Sequence, residues 1–169
     1  MSNHNKIINI DHKNLLTYLK DKIPYIFIEK AEVAPGEYAR GIKNFAYNEW
    51  FFKCHFEDEP IVPGVFLLES LMQTAALAIH TLDIMENKKI VVKKFINVNI
   101  INGVFPGDQL YTFSKIKTFK RGIINASGEG YVIRDGKQVP TIEADFQMLV
   151  PDLLQAFTPL EKDTKNVKK

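Results

Sequence analysis

Glu69 stands inside an otherwise apolar run, Val65-Phe66-Leu67-Leu68-Glu69-Ser70-Leu71-Met72. Burying a carboxylate there without compensation is costly, so its pKa is expected to rise. A carboxyl that keeps its proton near neutral pH can act as a general acid. The plain alternative is a hydrated groove or a structural partner for Glu69. Gln73 follows four residues later on the same helix face, where its amide could hold the Glu69 carboxyl. An ordinary interior hydrogen-bonding role explains Gln73 equally well.

His55 sits in an aromatic stretch, Trp50-Phe51-Phe52-Lys53-Cys54-His55-Phe56, closed by Pro60, Pro63 and Gly64. Imidazole can accept a proton at neutral pH, and a rigid loop could aim it; a satisfied core histidine is the competing reading. Cys54 beside it invites a thiol nucleophile. Neighbours in an extended segment face opposite ways, however, so that pair is set aside. His4, His12, His55 and His80 show neither His-x-x-x-His nor Cys-x-x-Cys spacing, and no metal is expected. Gly128-Glu129-Gly130 enters a strand rather than opening a helix, which excludes a dinucleotide or phosphate loop.

These residues need elements to position them. From Pro63 to Leu82 apolar residues surround the whole helical circumference, so this helix must be buried on nearly all sides; Pro63 suits its first turn and Gly64 permits close approach to the free amides. Asn14 to Lys20 predicts a short amphipathic helix before Pro24. Tyr25 to Tyr47 reads as a hairpin turning at Pro35-Gly36. Strand-like runs follow at Ile90–Ile101, Gln109–Phe119, Ile123–Ile133 and Gln138–Val150, separated by Pro106-Gly107-Asp108, Arg121-Gly122 and Asp135-Gly136. One buried helix with long antiparallel strands predicts an α+β fold in which a curved sheet wraps the helix.

The 169 residues suffice for one domain with a substantial core. A single domain is expected over residues 1–169, with its core at about 14–150 and a frayed tail at 161–169. A net charge of +2 gives no nucleic-acid footprint. The lone Cys54 fits a reducing compartment, the cytoplasm, and neither an export signal nor a membrane span is expected.

The block Asn48-Glu49-Trp50-Phe51-Phe52-Lys53-Cys54-His55-Phe56, then Pro60-Ile61-Val62-Pro63-Gly64-Val65, then Leu68-Glu69-Ser70-Leu71-Met72-Gln73 resembles the β-hydroxyacyl-acyl carrier protein dehydratases of type II fatty acid synthesis. Ile23-Pro24-Tyr25 with Glu29-Lys30, Phe105-Pro106-Gly107-Asp108-Gln109 and Lys120-Arg121-Gly122 extend the likeness over roughly residues 14 to 150. The resemblance implies a hotdog fold and conversion of a β-hydroxyacyl thioester to the trans-2-enoyl thioester. It makes His55 the base and Glu69 the acid, contributed to each site by different subunits of a homodimer; such dimers can assemble further into a trimer of dimers. Gly64 and Val65 would offer amides to the thioester carbonyl, Gln73 would help hold the substrate site, and Lys120 and Arg121 would dock an acidic acyl carrier protein. No cofactor is implied, because the phosphopantetheine arm belongs to the substrate. Cys54, Glu57, Asp58 and Asp21 depart from the family pattern, which opens substrates from polyketide or aryl polyene synthesis. A hotdog thioesterase and a non-catalytic acyl-binding subunit are the competing functions.

Overall fold

A computed structural model describes residues 7–56 and 58–154; Glu57 and the tail at 161–169 lie outside the described residues. Among the described residues seven strands form one antiparallel sheet: β1 (Ile8–Ile10), β2 (Lys30–Ala34), β3 (Tyr38–Asn44), β4 (Val91–Ile100), β5 (Gln109–Lys120), β6 (Ile123–Arg134) and β7 (Lys137–Leu149). Their order across the sheet is β1-β2-β3-β5-β6-β7-β4. Helix α1 (Leu15–Tyr18) is a single turn, shorter than the expected Asn14–Lys20, and α2 (Gly64–His80) is the long helix. The expected helix at Pro63–Leu82 is therefore trimmed at both ends, with Pro63 as N-cap. The hotdog arrangement of a long helix wrapped by a curved antiparallel sheet is present.

Alternation explains how the sheet grips the helix. In β5 Leu110, Thr112, Ser114 and Ile116 are buried while Tyr111 and Phe113 lie half-buried on the other face. From Leu67 to Ile79 every residue of α2 except Glu69 is buried. Close approach is needed where α2 crosses β3 and β5. A Cβ at Gly41 would come within 2.6 Å of the Thr112 hydroxyl and 2.7 Å of the Thr74 hydroxyl, and those two hydroxyls hydrogen-bond each other at 2.7 Å. The expectation of burial on nearly all sides fails at the first turn of α2. Val65 is 67% exposed, although the Ile100 side chain of β4 lies against the neighbouring Gly64.

Two features were unreadable from pattern. Strand β1 is three residues long, too short for alternation to show. Strand β4 forms an edge, pairing with β7 alone among the described strands, and all ten of its residues are exposed, Val91, Val92, Phe95, Ile96, Val98 and Ile100 among them. The turn at Arg121-Gly122 takes left-handed backbone at both residues, φ 51° and 76°, the geometry of a tight hairpin between β5 and β6.

The start of the His55 loop is tied down by a buried cation. The Lys43 ammonium, its side chain 7% exposed, donates to Glu29 at 3.0 Å and to Glu49 at 2.7 Å. Glu49 immediately precedes the 3-10 turn Trp50–Lys53 that leads into His55. Lys43→Met strands two carboxylates together. The unfolding free energy should fall by about 2–4 kcal/mol in urea titrations, below the fully buried range because the Glu29 side chain is 38% exposed.

Candidate active site

Glu69 is carried by the one face of α2 that the sheet leaves open. The Gln73 amide donates to Glu69 Oε1 at 3.0 Å and to the Tyr25 carbonyl at 3.0 Å, while its Oε1 accepts the Phe27 amide at 2.8 Å. Both N–H groups of Gln73 are thus engaged by protein, and the residue is 2% exposed; it holds Glu69 and clamps the 25–27 segment onto α2. The Tyr25 hydroxyl also interacts with the Glu69 carboxyl. Burial pushes the Glu69 pKa up; the Gln73 hydrogen bond opposes the rise, the Asp21 carboxylate adds to it, and Tyr25 opposes it again. The net direction is upward, as expected for a carboxyl in an apolar helix.

His55 follows the 3-10 turn and is fixed differently. Its Nδ1 lies 2.9 Å from the Ile61 carbonyl. A carbonyl can only accept, so Nδ1 carries a proton, and in the neutral ring Nε2 keeps its lone pair. Phe56, next in the chain, has φ 62°, a conformation a bulky residue adopts only where its surroundings enforce it. Its ring lies 4.3 Å from the imidazole. The Val62 amide donates to the Val104 carbonyl at 2.8 Å, so the segment carrying Ile61 is itself pinned. Cys54 does not lie where the sequence places it. It ends the 3-10 turn with ψ near 0° rather than lying in an extended segment, and its thiol donates to the Phe51 carbonyl at 3.3 Å.

A cavity of about 380 Å³ opens beside Glu69, lined on α2 by Glu69, Met72, Gln73, Ala76 and His80. His55 is not among the residues lining it. Gly64 and Val65 open α2, where amides have no carbonyl upstream within the helix. Lys120 and Arg121 are exposed at the β5–β6 turn, away from the cavity wall. Sequence reading missed Tyr25 as a Glu69 partner. The 25–27 segment meets Gln73 across 48 positions of sequence, and no local signal marks such a contact.

The fold is that of a hotdog protein, with a carboxyl of raised pKa on the central helix and an imidazole on a pinned loop. Residues 21–143 match the FabA-like domain family. The 3-hydroxyacyl-[acyl-carrier-protein] dehydratase FabZ of Acetivibrio thermocellus is 35% identical over 136 residues, covering 78% of this chain and 91% of that protein. The enzyme of the same name from Thermoanaerobacter pseudethanolicus is 32% identical over 120 residues, covering 70% of this chain and 84% of that protein. Among solved structures, a sigma28-regulated virulence protein from Campylobacter jejuni shares the fold with TM-score 0.61 at 12% identity, over 82% of this chain and 88% of that one. The chain belongs to the FabA-like family.

Proposed function

We propose that the chain dehydrates β-hydroxyacyl thioesters presented by acyl carrier protein in fatty acid synthesis, with Glu69 as acid and His55 as base. The observation that carries this reading is Glu69, a carboxyl whose pKa is raised by burial, held in place by Gln73 at the wall of a cavity. His55 Nε2 takes a proton from C2 of the acyl chain, and Glu69 gives its proton to the departing β-hydroxyl. The C2–H and C3–O bonds break, the C2=C3 bond forms, and water and a trans-2-enoyl thioester remain. Proton exchange with solvent resets His55 and Glu69. First-turn amides of Gly64 and Val65 suit the thioester oxygen, where negative charge develops. The reaction as written needs no resident cofactor, since the phosphopantetheine arm arrives with the carrier.

The site is assembled from two chains, which fits the absence of His55 from the Glu69 cavity wall. The exposed apolar edge of β4 supports the pairing: an unpaired strand of this kind is a template for a second strand, and a second copy of this chain covers it in the proposed dimer. Among the described residues no helix is long and apolar enough to cross a membrane, and the reading places the protein in the cytoplasm. Lys120 and Arg121 form a basic, exposed hairpin tip suited to an acidic carrier. Charge reversal at both should raise KM for carrier-linked substrate by about tenfold while sparing a pantetheine thioester; equal loss on the two substrates would remove the docking role. The reading as a whole is tested by incubating the protein with a β-hydroxyacyl carrier and following enoyl formation.

A further inference from the structure

The His55 tautomer is only as well fixed as the Ile61 carbonyl that sets it. Freed from that oxygen, the neutral ring can carry its proton on Nε2, which then has no lone pair to take a proton from C2. The described residues between His55 and α2 form neither helix nor strand. They are steadied by the loop at 101–108. The Val62 amide, next to Ile61, donates to the Val104 carbonyl at 2.8 Å, and a Cβ at Gly103 would come within 2.6 Å of Ile61 Cδ1. Val62 and Val104 are both buried, so a broken pair would find no water to replace the bond.

That loop is anchored in turn by a guanidinium from another element. Arg134, the last residue of β6, donates from Nη2 to the Gly103 carbonyl at 2.8 Å and to Asp108 Oδ2 at 2.5 Å, and its Nε reaches Asp108 Oδ1 at 3.5 Å. Asp108 Oδ2 also accepts the Phe105 amide at 2.9 Å, and the guanidinium carbon lies 5.0 Å from the centre of the Phe105 ring. Gly103 and Phe105 are the two chain neighbours of Val104, so the fork grips the loop on both sides of the carbonyl that holds Val62. We propose that Arg134 and Asp108 are positioning residues for the base: their clamp on Gly103 and Phe105 fixes, through Val104, Val62 and Ile61, the carbonyl that holds His55 Nδ1. The task of the base rests on the dehydratase reading; the path to the ring does not. The Arg134 side chain is 32% exposed and that of Asp108 15%, so the pair can be altered without opening the core. A lysine would bring a point charge instead of a planar fork that serves Gly103 and Asp108 together.

The test compares Arg134→Met with Lys117→Met, which removes an ion pair of the sheet, Lys117 to Asp145 at 2.5 Å between β5 and β7. In Arg134→Met kcat for a β-hydroxyacyl carrier should fall by about ten- to a hundredfold, the scale of a displaced catalytic group. KM should change by no more than about twofold, because the groups that bind substrate are untouched. Lys117→Met should keep the wild-type kcat. Nitrogen NMR of histidine-labelled protein, with His55 assigned by its loss in His55→Ala, reads the ring itself at a pH where it is neutral. Wild type should carry the proton on Nδ1, Arg134→Met should move a measurable share of it to Nε2, and Arg134→Lys should restore both readouts in part. A folded Arg134→Met protein with wild-type kcat, or with lowered kcat and an unaltered His55 ring, overturns the proposal. If Arg134→Met does not fold, Asp108→Asn decides by the same two readouts, since its amide keeps an acceptor for Phe105 at nearly the same volume and gives up the charge that draws Arg134. If wild type dehydrates no β-hydroxyacyl carrier, the dehydratase reading fails, and the NMR measurement alone decides the positioning claim: a His55 ring that Arg134→Met leaves unaltered overturns it.

Discussion

Glu69→Gln should abolish dehydration while leaving the protein folded. The amide has nearly the volume of the carboxyl and can still meet the Gln73 and Tyr25 side chains that hold this position, but it has no proton to deliver to a departing hydroxyl. Loss of a positioned acid commonly costs about 10²- to 10⁴-fold in rate. Packing cannot explain a drop of that size, since the isosteric change leaves the α2 core untouched, and circular dichroism with a thermal melt should show a folded protein of near wild-type stability. A folded Glu69→Gln protein that dehydrates at near the wild-type rate would remove Glu69 from the acid's role.

The second large effect is a recovery of activity. His55→Ala should be as inactive as Glu69→Gln, because removing the base stops C2 deprotonation. If each site takes His55 from one chain and Glu69 from the other, a heterodimer of the two variants contains one site with both wild-type groups and one with neither. Co-refolding equal amounts, with pairing at random, should then return roughly a quarter of wild-type activity. The measurement needs native mass spectrometry to show that mixed dimers form. Mixed dimers without activity would contradict a site shared between chains.

Much of this was legible in residues. Glu69 announced itself as an acid in an apolar helix, and its raised pKa follows first from its burial. The spacing of Glu69 and Gln73 foretold their hydrogen bond, because residues four apart share a helix face. Pro35-Gly36 marked the β2–β3 turn, where Gly36 has φ 75°. What stayed hidden was nonlocal. Nothing near Tyr25 signals its contact with Glu69, and nothing near Lys20 signals His80. Strand β4 was legible as a strand yet not as an exposed one, since its apolar residues read as core when no partner surface is in view. The aromatic segment before Cys54 reads as extended but closes into a 3-10 turn.

The most direct measurement is intact mass spectrometry of a β-hydroxyacyl carrier protein incubated with the wild-type chain. A dehydratase leaves the thioester in place, so the acyl carrier should lose one water and nothing else, with little free thiol or free acid in solution. Free carrier thiol as the main product would mean hydrolysis at the carbonyl and would replace dehydration with thioesterase chemistry; an acyl carrier that keeps its mass across a panel of chain lengths would contradict catalysis at Glu69 altogether.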